Sequence, residues 1–269
     1  MCWGTLVGML LSLVKVTLAV YLGFGALLYV GQRSMIYFPT PEVRHDLDTE
    51  EFDNDGYRVS TIVLNPSRPG AILYFGGNAE AVAQNAASFS ELFRNHTVYM
   101  VHYRGYGGSD GKPSEMAIYS DALAVYDAIR PRHSSISVIG RSLGGGVATY
   151  LAAERQLDRL VLVTPFDSAE NVARQQFPLF PMRLLLKDRY DSLSRAPGIS
   201  VPTLVLVAQD DEVIASARTD NLIAALDPAL TAVHRFPGAG HNTISFAPGY
   251  EAMLEDFLSD AGEQDAGER

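Results

Sequence analysis

Short runs rich in Val, Ile, Leu and aromatic residues recur along this 269-residue chain after residue 57 and alternate with helix-like stretches. Strands are predicted at 57–64, 71–75, 97–103, 135–139, 159–163, 202–208 and 231–236. Helices are predicted between them at 80–94, 115–129, 143–156, 168–176, 215–227 and 249–258. Near-continuous apolar strands that alternate with helices are typical of strands buried on both faces. The pattern therefore predicts one α/β domain with a mostly parallel, twisted sheet and helices on both faces.

The amino-terminal residues 3–31 form the one strong shift in composition, because they carry a single charge, Lys15. At about 1.5 Å per residue, a helix of this length is more than long enough to cross the ~30 Å hydrocarbon core of a bilayer. A cleaved signal peptide is one alternative, but the leading MCWGT lacks a basic region and no convincing A-x-A site follows. A buried core helix is the other, and the length of the run disfavours it. The run therefore predicts a transmembrane helix that anchors a single-pass membrane protein.

The sequence divides into three parts, the first of which contains this helix. Residues 1–37 are predicted to form the membrane anchor and its junction, residues 38–258 the α/β domain, and residues 259–269 a solvated acidic tail. No Lys or Arg precedes the apolar run, whereas Arg33 and Arg44 follow it. Because cytoplasmic loops carry an excess of basic residues, this distribution favours a cytoplasmic α/β domain.

Charge and cysteine content exclude several classes of function. The formal net charge of −10 argues against a nucleic-acid-binding surface, which needs a basic patch. The single cysteine, Cys2, excludes an intrachain disulfide and a thiolate zinc cluster. We therefore predict no nucleic-acid partner and no thiolate metal site.

A serine stands between glycines where a predicted strand becomes a helix, in the stretch Gly140-Arg141-Ser142-Leu143-Gly144. In a nucleophile elbow of the form G-x-S-x-G, the serine occupies a strained strand-to-helix turn and the glycines leave room where side chains would clash. A glycine-rich turn without chemical consequence is the alternative reading of these five residues alone. The preceding strand SISVI and the following helical stretch supply the context that an elbow requires.

Other polar residues also follow predicted strands, at the edge of a parallel sheet where reactive groups gather. The serine of the elbow is followed along the chain by the adjacent Asp210 and Asp211, and then by His241. This is the order Ser…Asp…His of an α/β-hydrolase triad, in which the imidazole accepts the serine proton and the carboxylate orients the imidazole. Position along the chain does not decide which aspartate serves, and the other is expected to accept backbone N–H bonds in the turn.

Attack on a carbonyl also requires hydrogen-bond donors for the oxygen that becomes negatively charged. Leu143, directly after the serine, supplies one backbone N–H, and the loop FGGNAE after the second predicted strand places Asn78 as the other donor. Gly76 and Gly77 in that loop are equally compatible with a simple tight turn.

The stretches QRSMIYFPTPE, LYFGGNAE, HYRGYGGSDGKPSE, IGRSLGGGVA, PFDS and QDDEVI resemble the small membrane-tethered serine hydrolases of the α/β-hydrolase domain-containing type. The resemblance runs from the end of the anchor to His241. It implies an α/β-hydrolase fold with Ser142 as nucleophile, Asp211 as acid and His241 as base. It also implies Asn78 and Leu143 as oxyanion-hole donors, and hydrolysis of esters or thioesters without metal or cofactor. The substrate would be a small-molecule or lipid-like acyl compound, cleaved through an acyl-serine intermediate.

Two features qualify the resemblance. The family usually has His-Gly-Asn where this chain has Gly76-Gly77-Asn78, and the missing imidazole is expected to loosen the oxyanion loop. The segment between the strands at 159–163 and 202–208 is short, which predicts a minimal cap over the site. Five apolar residues of that segment either line an acyl pocket or pack the segment onto the sheet: Phe177, Leu179, Phe180, Met182 and Leu184. A non-catalytic membrane adaptor and a serine peptidase are the alternative functions.

Overall fold

The computed structural model describes residues 2–43 and 45–259. The predicted acidic tail, apart from Ser259, and Arg44 lie outside the described residues. The described strands are β1 (Thr49–Asn54), β2 (Tyr57–Leu64), β3 (Gly70–Phe75), β4 (His96–Val101), β5 (Ser135–Arg141), β6 (Leu160–Val163), β7 (Thr203–Ala208) and β8 (Thr231–Phe236). The described helices are α1 (Cys2–Ile36), α2 (Ala86–Leu92), α3 (Glu115–Ile129), α4 (Leu143–Glu154), α5 (Ala169–Gln176), α6 (Met182–Leu185), α7 (Ser192–Arg195), α8 (Ser216–Ala225) and α9 (Tyr250–Ser259).

Within the described residues the strands form one sheet of eight, in the order β1-β2-β4-β3-β5-β6-β7-β8. The six strands from β4 to β8 pair in parallel, whereas β1 and β2 are antiparallel additions at one edge. Neighbouring side chains on a strand point to opposite faces, so that Ile72 lies in the apolar core on one side of the sheet and Leu73 in the core on the other. The predicted α/β-hydrolase fold, with a mostly parallel sheet covered by helices on both faces, is confirmed.

One strand, formed by residues 49–54, precedes the first predicted strand at 57–64 and was not predicted. These residues form β1, which pairs antiparallel with β2 in a hairpin. The two residues between the strands, Asp55 and Gly56, have positive φ angles of 54° and 77°. An Asp-Gly pair with positive φ at both positions matches the twist of a two-residue hairpin, and that dipeptide is the signal by which the strand could have been found. Of the residues in β1, only Phe52 is buried, so the strand lacks a strong apolar pattern.

Helix α1 contains one stretch, Leu6–Ile36, that is long and apolar enough to cross a membrane, with a mean hydropathy of 2.0. Its last turns, in contrast, pack against the α/β domain. Leu28 and Gln32 are buried, and Arg33 forms an ion pair of 2.9 Å with the buried carboxylate of Asp188. The end of the apolar helix is thus part of the packed structure that surrounds the site.

A short segment, residues 165–199, crosses the carboxyl edge of the sheet between β6 and β7 and is here called the cap. It holds only α5, α6, α7 and one turn of 3₁₀ helix, as the minimal cap prediction expected. Tyr190 of the cap is fully buried, and its hydroxyl lies 2.9 Å from the hydroxyl of Tyr37 just beyond α1. The cap therefore connects α1 to the sheet.

Candidate active site

Ser142 lies on a sharp turn between β5 and α4. Its backbone angles, φ 51° and ψ −111°, belong to a conformation that side-chain-bearing residues rarely adopt. The glycines on either side are sterically required, because a Cβ at Gly140 would lie 2.3 Å from the Gly144 oxygen. A Cβ at Gly144 would lie 1.9 Å from the Phe75 oxygen. The G-x-S-x-G pattern is therefore explained by backbone strain at the serine and by close backbone approach at both glycines.

The structure brings together the three side chains predicted from their order in the chain. His241 Nε2 lies 2.9 Å from Ser142 Oγ, and His241 Nδ1 lies 2.8 Å from Asp211 Oδ2. His241 is only 5% exposed, so the ring is fixed by its surroundings as well as by these two contacts. A hydroxyl in contact with an imidazole that is itself oriented by a carboxylate is the arrangement required to make serine a nucleophile.

Asp211, and not Asp210, faces His241. The other oxygen of Asp211 accepts the backbone N–H groups of Val213 at 2.9 Å and Ile214 at 2.7 Å. Burial by itself raises the pKa of Asp211, but the hydrogen bonds from His241 and Ile214 outweigh it and hold that pKa below its usual value. The expectation that Asp210 serves the turn was wrong, because Asp211 makes these turn bonds itself and the side chain of Asp210 is exposed.

The predicted oxyanion donors lie on two loops that meet at Ser142. Leu143 is the first residue of α4, and a Cβ on Gly77 would lie 3.8 Å from the Cβ of Ser142. The side chain of Asn78 is occupied. Its Nδ2 donates to the Ile36 oxygen at 2.7 Å, and its Oδ1 accepts from Phe38 N and from a tyrosine hydroxyl, that of Tyr106. Since the Asn78 side chain is bonded to other groups, the prediction that Asn78 is an oxyanion donor rests on its backbone N–H.

Two side chains bond to the backbone of residues 76–80, here called the oxyanion loop. Tyr103 donates its hydroxyl to the Gly76 oxygen at 2.6 Å, and burial raises the pKa of Tyr103 well above its usual value, so the proton stays. Glu80 accepts the Gly77 N–H at 2.7 Å. A Cβ on Gly76 would lie 2.8 Å from Val82 and 3.2 Å from the Glu80 carboxylate carbon. The space beside Gly76 is therefore filled, and the expectation that the glycine loosens this loop finds no support in these contacts.

An ion pair between Arg141 and Glu80 joins the three loops of the site. Arg141 Nη1 donates to Glu80 Oε2 at 2.8 Å, while its Nη2 reaches the His241 oxygen at 3.4 Å and Asn242 Oδ1 at 3.2 Å. The two charged side chains are only 18% and 10% exposed. Burial opposes the charge on Arg141, yet Glu80 beside it raises the pKa of the guanidinium above its usual value. Sequence reasoning missed both residues, although Arg141 is the variable position inside the elbow and Glu80 ends the quoted FGGNAE.

The Glu80→Gln substitution tests this ion pair. It keeps an acceptor for the Gly77 N–H but leaves Arg141 without its counter-charge, which we expect to cost about 3 kcal/mol of unfolding free energy. We also expect kcat on a short ester to fall about tenfold or more with little change in KM, because the loop that bears Asn78 is displaced. Denaturant unfolding and initial rates measure the two effects. Asp127→Asn, which breaks the more exposed ion pair with Arg155, is the control, and an unchanged kcat in Glu80→Gln would contradict the positioning role.

Residues 61–190 match the alpha/beta hydrolase fold family. An uncharacterized protein of Mycobacterium tuberculosis is 31% identical over 262 residues, which cover 91% of this chain and 92% of that protein. The alpha/beta hydrolase domain-containing protein aho-3 of Caenorhabditis elegans is 30% identical over 201 residues, covering 72% of this chain and 58% of that protein. Protein bem46 of Schizosaccharomyces pombe is 26% identical over 267 residues, covering 89% of this chain and 88% of that protein.

Two solved structures share the same architecture. The esterase Pf2001 of Pyrococcus furiosus superposes with a TM-score of 0.66 at 16% identity, covering 83% of this chain and 97% of the esterase. Est1E of Butyrivibrio proteoclasticus, solved with ferulic acid bound, superposes with a TM-score of 0.62 at 15% identity, covering 78% of this chain and 96% of that one. At such low identities these likenesses describe the fold and leave the substrate open.

Proposed function

This chain belongs to the α/β-hydrolase family, of the α/β-hydrolase domain-containing type, and on that premise we propose that it is a membrane-tethered serine hydrolase of carboxylic esters or thioesters. The observation that carries the proposal is the continuous contact from Ser142 Oγ through the His241 ring to the Asp211 carboxylate, at 2.9 and 2.8 Å. In this proposal Ser142 is the nucleophile, His241 the general base and Asp211 the residue that orients the base.

In the first half of the reaction, Ser142 Oγ attacks the carbonyl carbon of the substrate and its proton passes to His241 Nε2. The imidazolium then gives this proton to the leaving alcohol or thiol, the C–O or C–S bond breaks, and the acyl group stays on Oγ. The carboxylate of Asp211 stabilises the imidazolium, and its hydrogen bond fixes the tautomer in which Nε2 is free to accept the proton.

In the second half, water attacks the carbonyl of the acyl-serine and gives a proton to His241 Nε2. The carboxylic acid leaves as the proton returns to Ser142 Oγ, which restores the free enzyme. In both halves the backbone N–H groups of Leu143 and Asn78 are the proposed donors to the oxygen that becomes negatively charged. Donors already fixed in place need no reorganisation at that moment, and each is worth about 3 kcal/mol or more in enzymes of this type.

Labelling with a fluorophosphonate, which reacts with activated serines, tests the proposed function on the full-length protein in detergent. We expect one label per chain and turnover of both an ester and a thioester of the same acyl group. A protein that takes no label and hydrolyses neither compound would be the non-catalytic adaptor instead. A protein that is labelled but cleaves peptides faster than esters would be a peptidase.

We also propose that α1 is the membrane anchor and that residues 38–258 form the catalytic domain, with that domain in the cytoplasm. The apolar stretch Leu6–Ile36 supports the anchor, because no residue of its most apolar 18-residue segment is buried. The end of α1 is also proposed to position Asn78, because the Ile36 carbonyl and the Phe38 N–H both bond to the Asn78 side chain.

Shortening the chain separates these two contributions of α1. A protein beginning at Pro39 lacks both bonds to Asn78, and one beginning at Ala26 keeps them. We expect kcat on a short ester to be about tenfold lower for the Pro39 form, or about 1.4 kcal/mol of barrier height for the loss of the two bonds. We expect the full-length protein to sediment with membranes and the Pro39 form to stay in solution. Equal kcat values for the two shortened forms would show that the end of α1 has no effect on the site.

A further inference from the structure

An apolar groove lies between the last turns of α1 and the cap, and is here called the α1–cap groove. Its volume is about 110 Å³, and it is open to solvent along one side. The groove is lined by six apolar side chains among others: Leu28, Met35, Ile36, Phe177, Met182 and Leu186. Leu28, Met182 and Leu186 are buried, so the groove has a packed apolar floor.

Specific contacts hold the two walls of the groove together. The side chain of Gln32 donates to the Leu185 oxygen at 3.0 Å and accepts the Lys187 N–H at 2.6 Å. Further toward the amino terminus, the rings of Tyr21 and Phe180 stack with centroids 4.7 Å apart. Because contacts between α1 and the cap lie on both sides of the groove, the fold holds the two walls of the groove in place.

The outer side of the groove faces the surface of the bilayer, if α1 spans it. Leu179 and Leu184 of the cap are 79% and 78% exposed, which is costly in water and favourable in lipid. Lys187 of the cap is also exposed, and its Nζ lies 4.1 Å from the ring centroid of Tyr29 on α1. Exposed apolar residues with a nearby lysine and interfacial aromatic rings are the pattern of a segment at the headgroup level.

One residue of the groove, Ile36, also contacts the oxyanion loop. Ile36 lines the groove, and its carbonyl oxygen accepts the hydrogen bond of 2.7 Å from Asn78. Asn78 in turn follows Gly77, the residue that lies against Ser142. An acyl chain lying in the groove would therefore contact Ile36, the residue whose carbonyl oxygen holds the side chain of Asn78.

We propose that the α1–cap groove binds the acyl chain of an amphiphilic ester or thioester whose chain reaches it from the bilayer. This inference rests on the proposed function for its reaction, but the binding it describes is separate from catalysis. Continuity of the groove with the apolar surface of α1 identifies the occupant as an acyl chain from lipid. The head of the substrate then projects toward Ser142 and the solvent, where the cap is short.

Filling the groove tests the proposal on full-length protein in phosphatidylcholine vesicles. Ala173 of α5 lines the groove, and Ala173→Phe places a ring in it. Ala252→Phe, on the exposed side of α9, is the matched control. We expect kcat/KM for p-nitrophenyl palmitate to fall at least about tenfold in Ala173→Phe, while p-nitrophenyl butyrate turnover and fluorophosphonate labelling stay unchanged. Equal losses on both esters, or no loss on either, would overturn the groove as the acyl site.

A second measurement is independent of activity. Palmitate that carries a photoreactive diazirine near its methyl end is irradiated with the Ser142→Ala protein in the same vesicles. We expect cross-links on Phe177 and Met182 that disappear when Ala173 or the exposed Gln176 is replaced by Trp, while cross-links along the rest of α1 remain. Cross-links confined to α1 in every variant would overturn the proposal. If labelling and ester turnover fail but the cap cross-links appear, the proposed hydrolase function fails and the groove stands.

Discussion

Replacing Ser142 with alanine is expected to abolish fluorophosphonate labelling and to lower ester turnover by at least about a thousandfold. The reason is that Ser142 Oγ is the atom bonded to His241 Nε2, and the acyl-serine cannot form without it. Residual turnover would come from the oxyanion donors and from substrate binding alone. The measurement is initial velocity at saturating substrate, with thermal unfolding to show that the variant is folded.

Ser245→Ala supplies the control for this experiment. Ser245 is an exposed serine in the loop that follows His241, so its removal changes a hydroxyl on the same side of the molecule without touching the three-residue contact. We expect normal labelling and turnover in that variant. Labelling that persists in folded Ser142→Ala protein would show that another residue is the nucleophile.

Replacing Asp211 with asparagine is expected to lower the acylation rate by up to about ten-thousandfold and to leave the fold intact. An amide in place of the carboxylate favours the wrong tautomer of His241 and cannot stabilise the imidazolium. The hydrogen bonds that lower the pKa of Asp211 keep it ionised at neutral pH. The stability that these bonds contribute is present above the usual carboxyl pKa and is lost as pH falls through the lowered one. Stopped-flow or burst kinetics on an activated ester measures the acylation rate directly.

The neighbouring aspartate is the matched control. Asp210→Asn changes an exposed carboxylate one residue away, and we expect it to change the acylation rate by less than about threefold. Circular dichroism and thermal unfolding establish that both variants are folded. A severely slowed Asp210→Asn protein beside a nearly normal Asp211→Asn protein would show that the contact between His241 and Asp211 is not the one used in catalysis.

Much of the fold follows from local pattern. The apolar strands β3, β4, β6 and β7 are buried along their whole length, and such runs alternating with helices leave few arrangements other than a parallel sheet covered on both faces. Strand β1 was missed because its residues are mostly polar and one face of it is exposed. At such an edge, pairing depends on the hairpin turn at Asp55 and Gly56 more than on hydrophobic periodicity.

The three side chains that meet at the elbow were also accessible from the sequence. Each of Ser142, Asp211 and His241 follows a strand, and parallel strands deliver their carboxyl ends to one edge, so order along the chain predicts proximity in space. The choice between Asp210 and Asp211 came from resemblance to a family, since adjacent residues point in different directions and only the backbone of the turn decides which one meets the imidazole.

Only the tertiary structure decided the contacts between segments that share no local pattern. Arg141 and Glu80 are 61 positions apart, and Asn78 bonds to Ile36 across 42 positions. A charged or polar residue carries no periodic signal of its partner, because a hydrogen bond depends on where two backbones are placed by the packing of everything between them. The sequence by itself determined the sheet, the elbow and the apolar helix. The three-dimensional fold decided which segments meet around the site. The end of that helix, the cap and the oxyanion loop contact one another because the closely packed core fixes the position of each.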